Sequence, residues 1–92
     1  MRARDGTVFE GVNVENAAYP LGICAEKSAI AAAVTAGYRP GALDEIAITA
    51  PPCGGCRQWL FEFKLDRVTF KDAAGELVTR TPSELLPDTF EL

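Results

Sequence analysis

The chain has 92 residues, a net charge of −4 and no histidine, which indicates one small globular domain spanning 1–92. The acidic balance disfavours binding to nucleic-acid backbones, and no apolar run or basic patch favours a membrane, so we expect neither partner. Without histidine, Ser-His and Cys-His nucleophilic catalysis are excluded. Three cysteines, an odd number, favour free thiols or metal ligands over disulfides, which predicts a reducing, cytoplasmic location.

The first half of the chain predicts a hairpin followed by a helix. Asp5-Gly6 is a strong hairpin signal between a strand stub at 2–4 and a returning strand at 7–12. A polar loop at 13–22 follows. Residues 23–38 are rich in alanine and predict a helix that packs closely on a sheet.

The second half of the chain alternates strands and helices. The sequence predicts strands at 44–49, 67–71 and 77–80, and helices at 54–63 and 82–86. Thr81-Pro82-Ser83-Glu84 fits a capping box at the start of the last helix. This alternation predicts an α/β fold, a layered mixed β-sheet with helices packed on it.

Two short motifs contain the candidate chemistry. Cys24-Ala25-Glu26 opens the first predicted helix, and Pro52-Cys53-Gly54-Gly55-Cys56 leads from a strand into the second. Thiols at helix N-termini are favoured as thiolates by the helix dipole and the free N–H groups. Cys53 and Cys56 are three residues apart and therefore face the same side of a helix, where they can bind one ion.

A Cys-x-x-Cys pair alone is shared by redox proteins and structural zinc sites. Cys24 adds a third thiol, and without histidine the fourth position of a zinc site is most simply a water, which is typical of catalytic zinc. Glu26 is then the natural general base beside that water. Arg57, directly after Cys56, is expected to donate hydrogen bonds to the ligand sulfurs and restore the Lewis acidity that three thiolates reduce.

Four stretches of the chain resemble a known family. A Cys₃ set, a glutamate that is not a ligand and a Pro-Cys-x-x-Cys motif are a described signature of zinc deaminases. The stretches are distributed from residue 9 to residue 90, so the resemblance extends over nearly the whole chain. The chain thereby resembles the small, homotetrameric cytidine deaminases with a three-cysteine zinc site. They are Phe9-Glu10-Gly11-Val12-Asn13-Val14-Glu15-Asn16-Ala17-Ala18-Tyr19, Cys24-Ala25-Glu26-Lys27-Ser28-Ala29, Pro52-Cys53-Gly54-Gly55-Cys56-Arg57-Gln58 and Glu84-Leu85-Leu86-Pro87-Asp88-Thr89-Phe90.

The resemblance implies a zinc-dependent enzyme of pyrimidine salvage. Cys24, Cys53 and Cys56 would hold Zn²⁺, and Glu26 would take a proton from the zinc-bound water. Hydroxide would then attack C4 of cytidine or deoxycytidine. Glu26 would protonate N3 and then the amino group, so that uridine or deoxyuridine and ammonia are formed.

The resemblance also implies the residues that contact a pyrimidine nucleoside. Asn13 and Glu15 would hydrogen-bond the ribose 3′-hydroxyl, and Ala25 would contact the substrate. Phe90 would stack on the pyrimidine of a neighbouring subunit, and Tyr19 would line a neighbour's site. The family forms homotetramers with composite active sites, so we expect a homo-oligomer.

Relative to this family, the chain is short at its N-terminus and lacks the usual first helix and most of the first strand. We therefore expect stronger dependence on zinc or on oligomer contacts. One alternative is a catalytically impaired zinc-binding fragment or structural module. A second is a thioredoxin-like dithiol oxidoreductase that uses Cys53 and Cys56. A third keeps the chemistry and changes the substrate to a related aminopyrimidine nucleoside.

Overall fold

A computed structural model describes residues 1–92 as a four-stranded sheet with helices. The elements are β1 (Arg2–Ala3), a 3-10 turn (Tyr19–Leu21), α1 (Ala25–Thr35), β2 (Leu43–Ala47), α2 (Gly54–Glu62), β3 (Arg67–Lys71), β4 (Leu77–Arg80) and α3 (Pro82–Leu85). The strand order is β1-β2-β3-β4; β2 and β3 are parallel and the other pairs antiparallel. The predicted mixed α/β fold is thus confirmed. None of the helices combines the length and hydrophobicity that crossing a bilayer requires.

The structure corrects two predicted elements. The segment 7–12 is not a strand, because its partner β1 is only two residues long; a single bridge joins Val8 to Arg2. Helix α1 begins at Ala25 rather than at residue 23, because Cys24 has an extended backbone with φ −77° and ψ 157°. The helix ends at Thr35, and Gly37 follows with a φ of 100°, the left-handed conformation that glycine adopts most easily.

The core joins the sheet to all three helices. One cluster contains ten buried side chains from β1, β2, β3, the helices and the loop before β3: Ala3, Ile30, Ala33, Leu43, Ile46, Leu60, Leu65, Val68, Phe70 and Leu85. Full burial of an aliphatic side chain stabilises the fold by about 1.5–3 kcal/mol. Because β2, α2 and β3 form one parallel crossover, the start of α2 lies at the carboxyl end of β2, where α/β folds commonly bind ligands.

The predicted capping box at the start of α3 is present. The Thr81 N–H donates to Glu84 Oε1 at 2.8 Å, and the Glu84 N–H donates to Thr81 Oγ1 at 3.1 Å. The bond from the Thr81 backbone lowers the pKa of the Glu84 carboxyl. This reciprocal pair fixes where α3 begins.

The Tyr38 hydroxyl connects the segment after α1 to the hairpin turn, through Asp5 and Thr7. This hydroxyl lies 2.6 Å from Asp5 Oδ2 and is the main cause that lowers the pKa of that carboxyl. A lowered folded pKa stabilises the fold above the unfolded pKa of about 4, and this stabilisation is lost as the pH falls through the folded pKa. Tyr38→Phe keeps the ring that packs edge-on against Phe9, with centroids 5.1 Å apart.

We therefore expect Tyr38→Phe to be less stable than wild type at neutral pH, and the difference to shrink as the pH falls below about 4. Urea midpoints measured for both proteins between neutral and acidic pH test this. A difference that is the same at every pH would show that the hydroxyl does not act through Asp5.

Candidate metal centre and active site

Two helix starts bring the three cysteines together. Cys24 is the N-cap of α1, Cys53 is the N-cap of α2, and Cys56 lies in the first turn of α2. The Cys24 and Cys53 Sγ atoms are 3.8 Å apart. All three sulfurs lie within 4.8 Å of one another.

These distances fit one tetrahedral zinc ion. A Zn–S bond of about 2.3 Å and tetrahedral angles place two ligand sulfurs about 3.8 Å apart, close to the Cys24–Cys53 separation. The group contains no fourth histidine, cysteine, aspartate or glutamate. Cys56 is buried, whereas Cys53 is exposed, so an ion held here would lie between the core and the surface with one position left for a ligand from outside the chain.

The two cysteines of α2 have opposite pKa shifts. The Cys56 N–H lies 3.5 Å from Cys53 Sγ, and this backbone contact lowers the pKa of the Cys53 thiol. Burial raises the pKa of the Cys56 thiol, and the neighbouring Glu26 carboxylate adds to that increase. Cys53 is therefore the readier thiolate, while Cys56 gives up its proton when a metal binds.

Glu26 is the buried carboxylate of the site. It lies in the first turn of α1, is 6% exposed and is close enough to Cys56 to raise the pKa of that thiol. It also lines a cavity of about 340 Å³, together with Gly11, Val12 and Ala25. That volume lies within the range of about 300–1,000 Å³ typical of small-molecule pockets. Glu26 thus lies near the sulfur cluster and lines a cavity large enough for a ligand.

Asn13 and Ala25 meet at the start of α1. The Ala25 N–H donates to Asn13 Oδ1 at 2.7 Å, so Asn13 satisfies one of the free N–H groups of the helix. This leaves the Asn13 Nδ2 donors available to a ligand. Gly11 lies so close to the same turn that a Cβ on it would be 2.1 Å from the Ala25 carbonyl oxygen.

Three predicted substrate residues lie on the surface of the chain, away from the cavity that Glu26 lines. Tyr19 is 87% exposed and Phe90 is 79% exposed. Glu15 is also exposed. Their predicted contacts with the nucleoside remain predictions.

The structure corrects the predicted partners of Arg57. Its Nε donates to the Pro52 carbonyl oxygen and its Nη1 to the Leu85 carbonyl oxygen, each at 2.9 Å. The guanidinium turns toward these carbonyls, which have no backbone partner, and makes no hydrogen bond to a sulfur. Arg57 therefore connects the loop before Cys53 to the end of α3.

Lys27 is a charged neighbour of the cluster to which the sequence pattern assigned no role. Its Nζ lies 3.1 Å from the point where a Cβ on Gly55 would stand, and Cys53 Sγ lies 3.9 Å from the same point. An ammonium near thiolates stabilises their charged form. Its sequence spacing could have indicated this position, because Lys27 follows Cys24 by three residues and lies on the same helix face.

Comparisons with known proteins agree with this geometry. A family model described as the cytidine and deoxycytidylate deaminase zinc-binding region matches residues 1–72. The cytidine deaminase of Halalkalibacterium halodurans is 39% identical over 97 residues, which cover 95% of this chain and 70% of the relative. The probable cytidine deaminase of Dictyostelium discoideum is 42% identical over 88 residues, covering 79% of this chain and 58% of the relative.

A solved structure shows the same fold. The cytidine deaminase of Burkholderia pseudomallei aligns with a TM-score of 0.85 at 42% identity, over 97% of this chain and 76% of that chain. The chain therefore belongs to the cytidine and deoxycytidylate deaminase family, whose zinc-binding region includes all three cysteines of the cluster. The predicted family and the predicted zinc cofactor are confirmed.

Proposed function

We propose that the protein hydrolyses cytidine or deoxycytidine to uridine or deoxyuridine and ammonia. The observation that carries this proposal is the position of Glu26, a buried carboxylate that lies near Cys56 and also lines the 340 Å³ cavity. The names of the relatives support the same reaction. The three thiol ligands support zinc rather than a hard cation, since thiolates are soft ligands.

Zinc, when bound, lowers the pKa of a coordinated water to about 7 and so supplies a nucleophile at neutral pH. Glu26 takes one proton from the attacking water as the water oxygen bonds to C4 of the pyrimidine. The same carboxylate returns this proton to N3. It then transfers the second proton of that water to the amino group, the C4–N bond breaks, and ammonia leaves. Water and cytidine are thereby converted to uridine and ammonia, with Glu26 regenerated.

The segment before α1 would hold the sugar. Asn13 is fixed by its bond to Ala25, which lines the cavity, and keeps its Nδ2 donors for a ribose hydroxyl. Glu15 lies two residues further along and would accept from the same hydroxyl. A ligand in the cavity would contact Ala25 directly, since this residue lines the wall between the Asn13 contact and Glu26.

We also propose a homotetramer with composite sites. Tyr19 and Phe90 are large, exposed aromatic side chains, which are costly to leave in water and typical of interfaces. Contacts with a neighbouring subunit would cover both and bring them to its site. Because the three ligand thiols must stay reduced, the reducing cytoplasm remains the proposed location, with a role in pyrimidine salvage.

The dithiol alternative is disfavoured. A Cys-x-x-Cys redox pair acts as two thiols, whereas Cys24 contributes a third sulfur 3.8 Å from Cys53. The alternative of a zinc module without catalysis makes a different prediction from the proposed enzyme, because it binds zinc and releases no ammonia.

Zinc content and a cytidine assay together test the proposal. We expect one zinc per chain, and loss of cytidine absorbance matched by equimolar ammonia. Removing zinc with a chelator should abolish the reaction, and adding zinc back should restore it. Stoichiometric zinc without ammonia release would identify a binding module instead, and a protein without zinc would refute the metal centre itself.

A further inference from the structure

Ser28 has a side-chain contact that the proposed reaction does not use. It lies one turn after Cys24 on α1, and its Oγ accepts the N–H of Val12 at 3.1 Å. Ser28 makes no hydrogen bond to a sulfur or to Glu26. Its hydroxyl therefore connects α1 to the preceding segment and not to the reacting groups.

That segment has few other anchors. The bridge at Val8 and the bridge between Val14 and Ile23 hold its two ends. No backbone–backbone hydrogen bond involves residues 10–13 between them. The contact with Ser28 is therefore the one hydrogen bond that the backbone of this stretch makes to the rest of the chain.

Three successive residues of the stretch meet the first two turns of α1. Gly11 packs against the Ala25 carbonyl, the Val12 N–H binds Ser28, and Asn13 Oδ1 accepts the Ala25 N–H. The peptide that Ser28 holds leads directly to Asn13. Fixing the Val12 N–H thus fixes the point from which the Asn13 side chain extends.

We infer that Ser28 is a positioning residue that sets Asn13 for contact with the ribose of the substrate, an inference that rests on the proposed function. When the hydroxyl is lost, the Val12 N–H loses its acceptor and the 10–13 stretch moves away from α1. Asn13 then spends less time with Oδ1 on Ala25 and Nδ2 toward the ligand. The effect falls on substrate binding, because the sulfur cluster and Glu26 keep their own contacts.

Three variants of the zinc-loaded protein test this inference. We expect Ser28→Ala to raise the KM for cytidine about tenfold, which corresponds to about 1.4 kcal/mol, with kcat within about twofold and an unchanged zinc content. Ser28→Thr keeps a hydroxyl and should restore the KM to within about threefold of wild type. Thr35→Ala removes another hydroxyl of α1, one bound to the Ala31 carbonyl at 2.9 Å, and should change neither constant.

Amide hydrogen exchange gives a readout that does not depend on turnover. The Val12 amide should exchange at least about tenfold faster in Ser28→Ala than in wild type, and the Thr variant should return it to the slow rate. Unchanged Val12 exchange, or a lower kcat and zinc content at constant KM, would overturn the inference. If wild type does not deaminate cytidine, the proposed function is wrong. The role of Ser28 is then tested by binding alone, in an NMR titration with cytidine or uridine. Equal affinity of wild type and Ser28→Ala in that titration would overturn the inference as well.

Discussion

The Glu26→Gln variant is expected to bind zinc as wild type does and to lose cytidine deamination by at least about a thousandfold, since positioned acid–base groups contribute about 10²–10⁴. The amide has the same shape and preserves the packing of a residue that is only 6% exposed. It cannot take a proton from the attacking water or return one to N3. The loss therefore appears in kcat, with zinc content and thermal unfolding close to wild type.

A matched control is Glu76→Gln, the same substitution at an exposed residue in the turn before β4. It should leave the reaction unchanged. Zinc is measured by metal analysis and turnover by ammonia release. Deamination that survives in Glu26→Gln would remove this residue from proton transfer and leave the proposed mechanism without a base.

The Gly11→Ala variant is expected to lose about 3 kcal/mol of stability or more, at the upper end of the usual cost of overpacking. A Cβ at this position would stand 2.1 Å from the Ala25 carbonyl oxygen and 2.6 Å from the Ala29 nitrogen. Both atoms belong to the backbone of α1 and have little freedom to move. The segment must then separate from the helix, which removes Asn13 from Ala25 and lowers activity as well as stability.

Gly54→Ala is the control for this prediction, because nothing lies within 4 Å of a Cβ placed on Gly54. This substitution in the first turn of α2 should be neutral or slightly stabilising. Urea denaturation of zinc-loaded proteins measures both effects. Equal stabilities for the Gly11 and Gly54 variants would show that the approach of Gly11 to α1 is not a tight contact.

The sequence predicted the fold where local signals were strong. The bounds of β3 and β4 and the capping box at Thr81 agree with the structure, since alternation and caps are encoded within a few residues. The strand at 7–12 was wrong, because a strand also needs a long enough neighbour, and β1 has two residues. Propensity alone does not encode the length of a partner.

The site was predictable in its ligands and less so in its supporting contacts. The spacing of the cysteines already indicated a shared ion, since helix geometry relates sequence distance to direction. The bonds of Arg57 to Pro52 and Leu85 depend on which carbonyls tertiary packing leaves free. The contact between Ser28 and Val12 joins two segments sixteen residues apart, and no local pattern predicts such a pair.

The distance along the chain between Cys24 and Cys53 has a consequence for folding. These two ligands are 29 residues apart, so one ion bound to both closes a loop that contains α1 and β2. By analogy with a covalent cross-link, closing a loop of that length in the unfolded chain removes conformational entropy equivalent to about 3–4 kcal/mol. For a domain of this size that is a large part of the total stability, and a zinc ion bound to these cysteines would thereby also cross-link the fold.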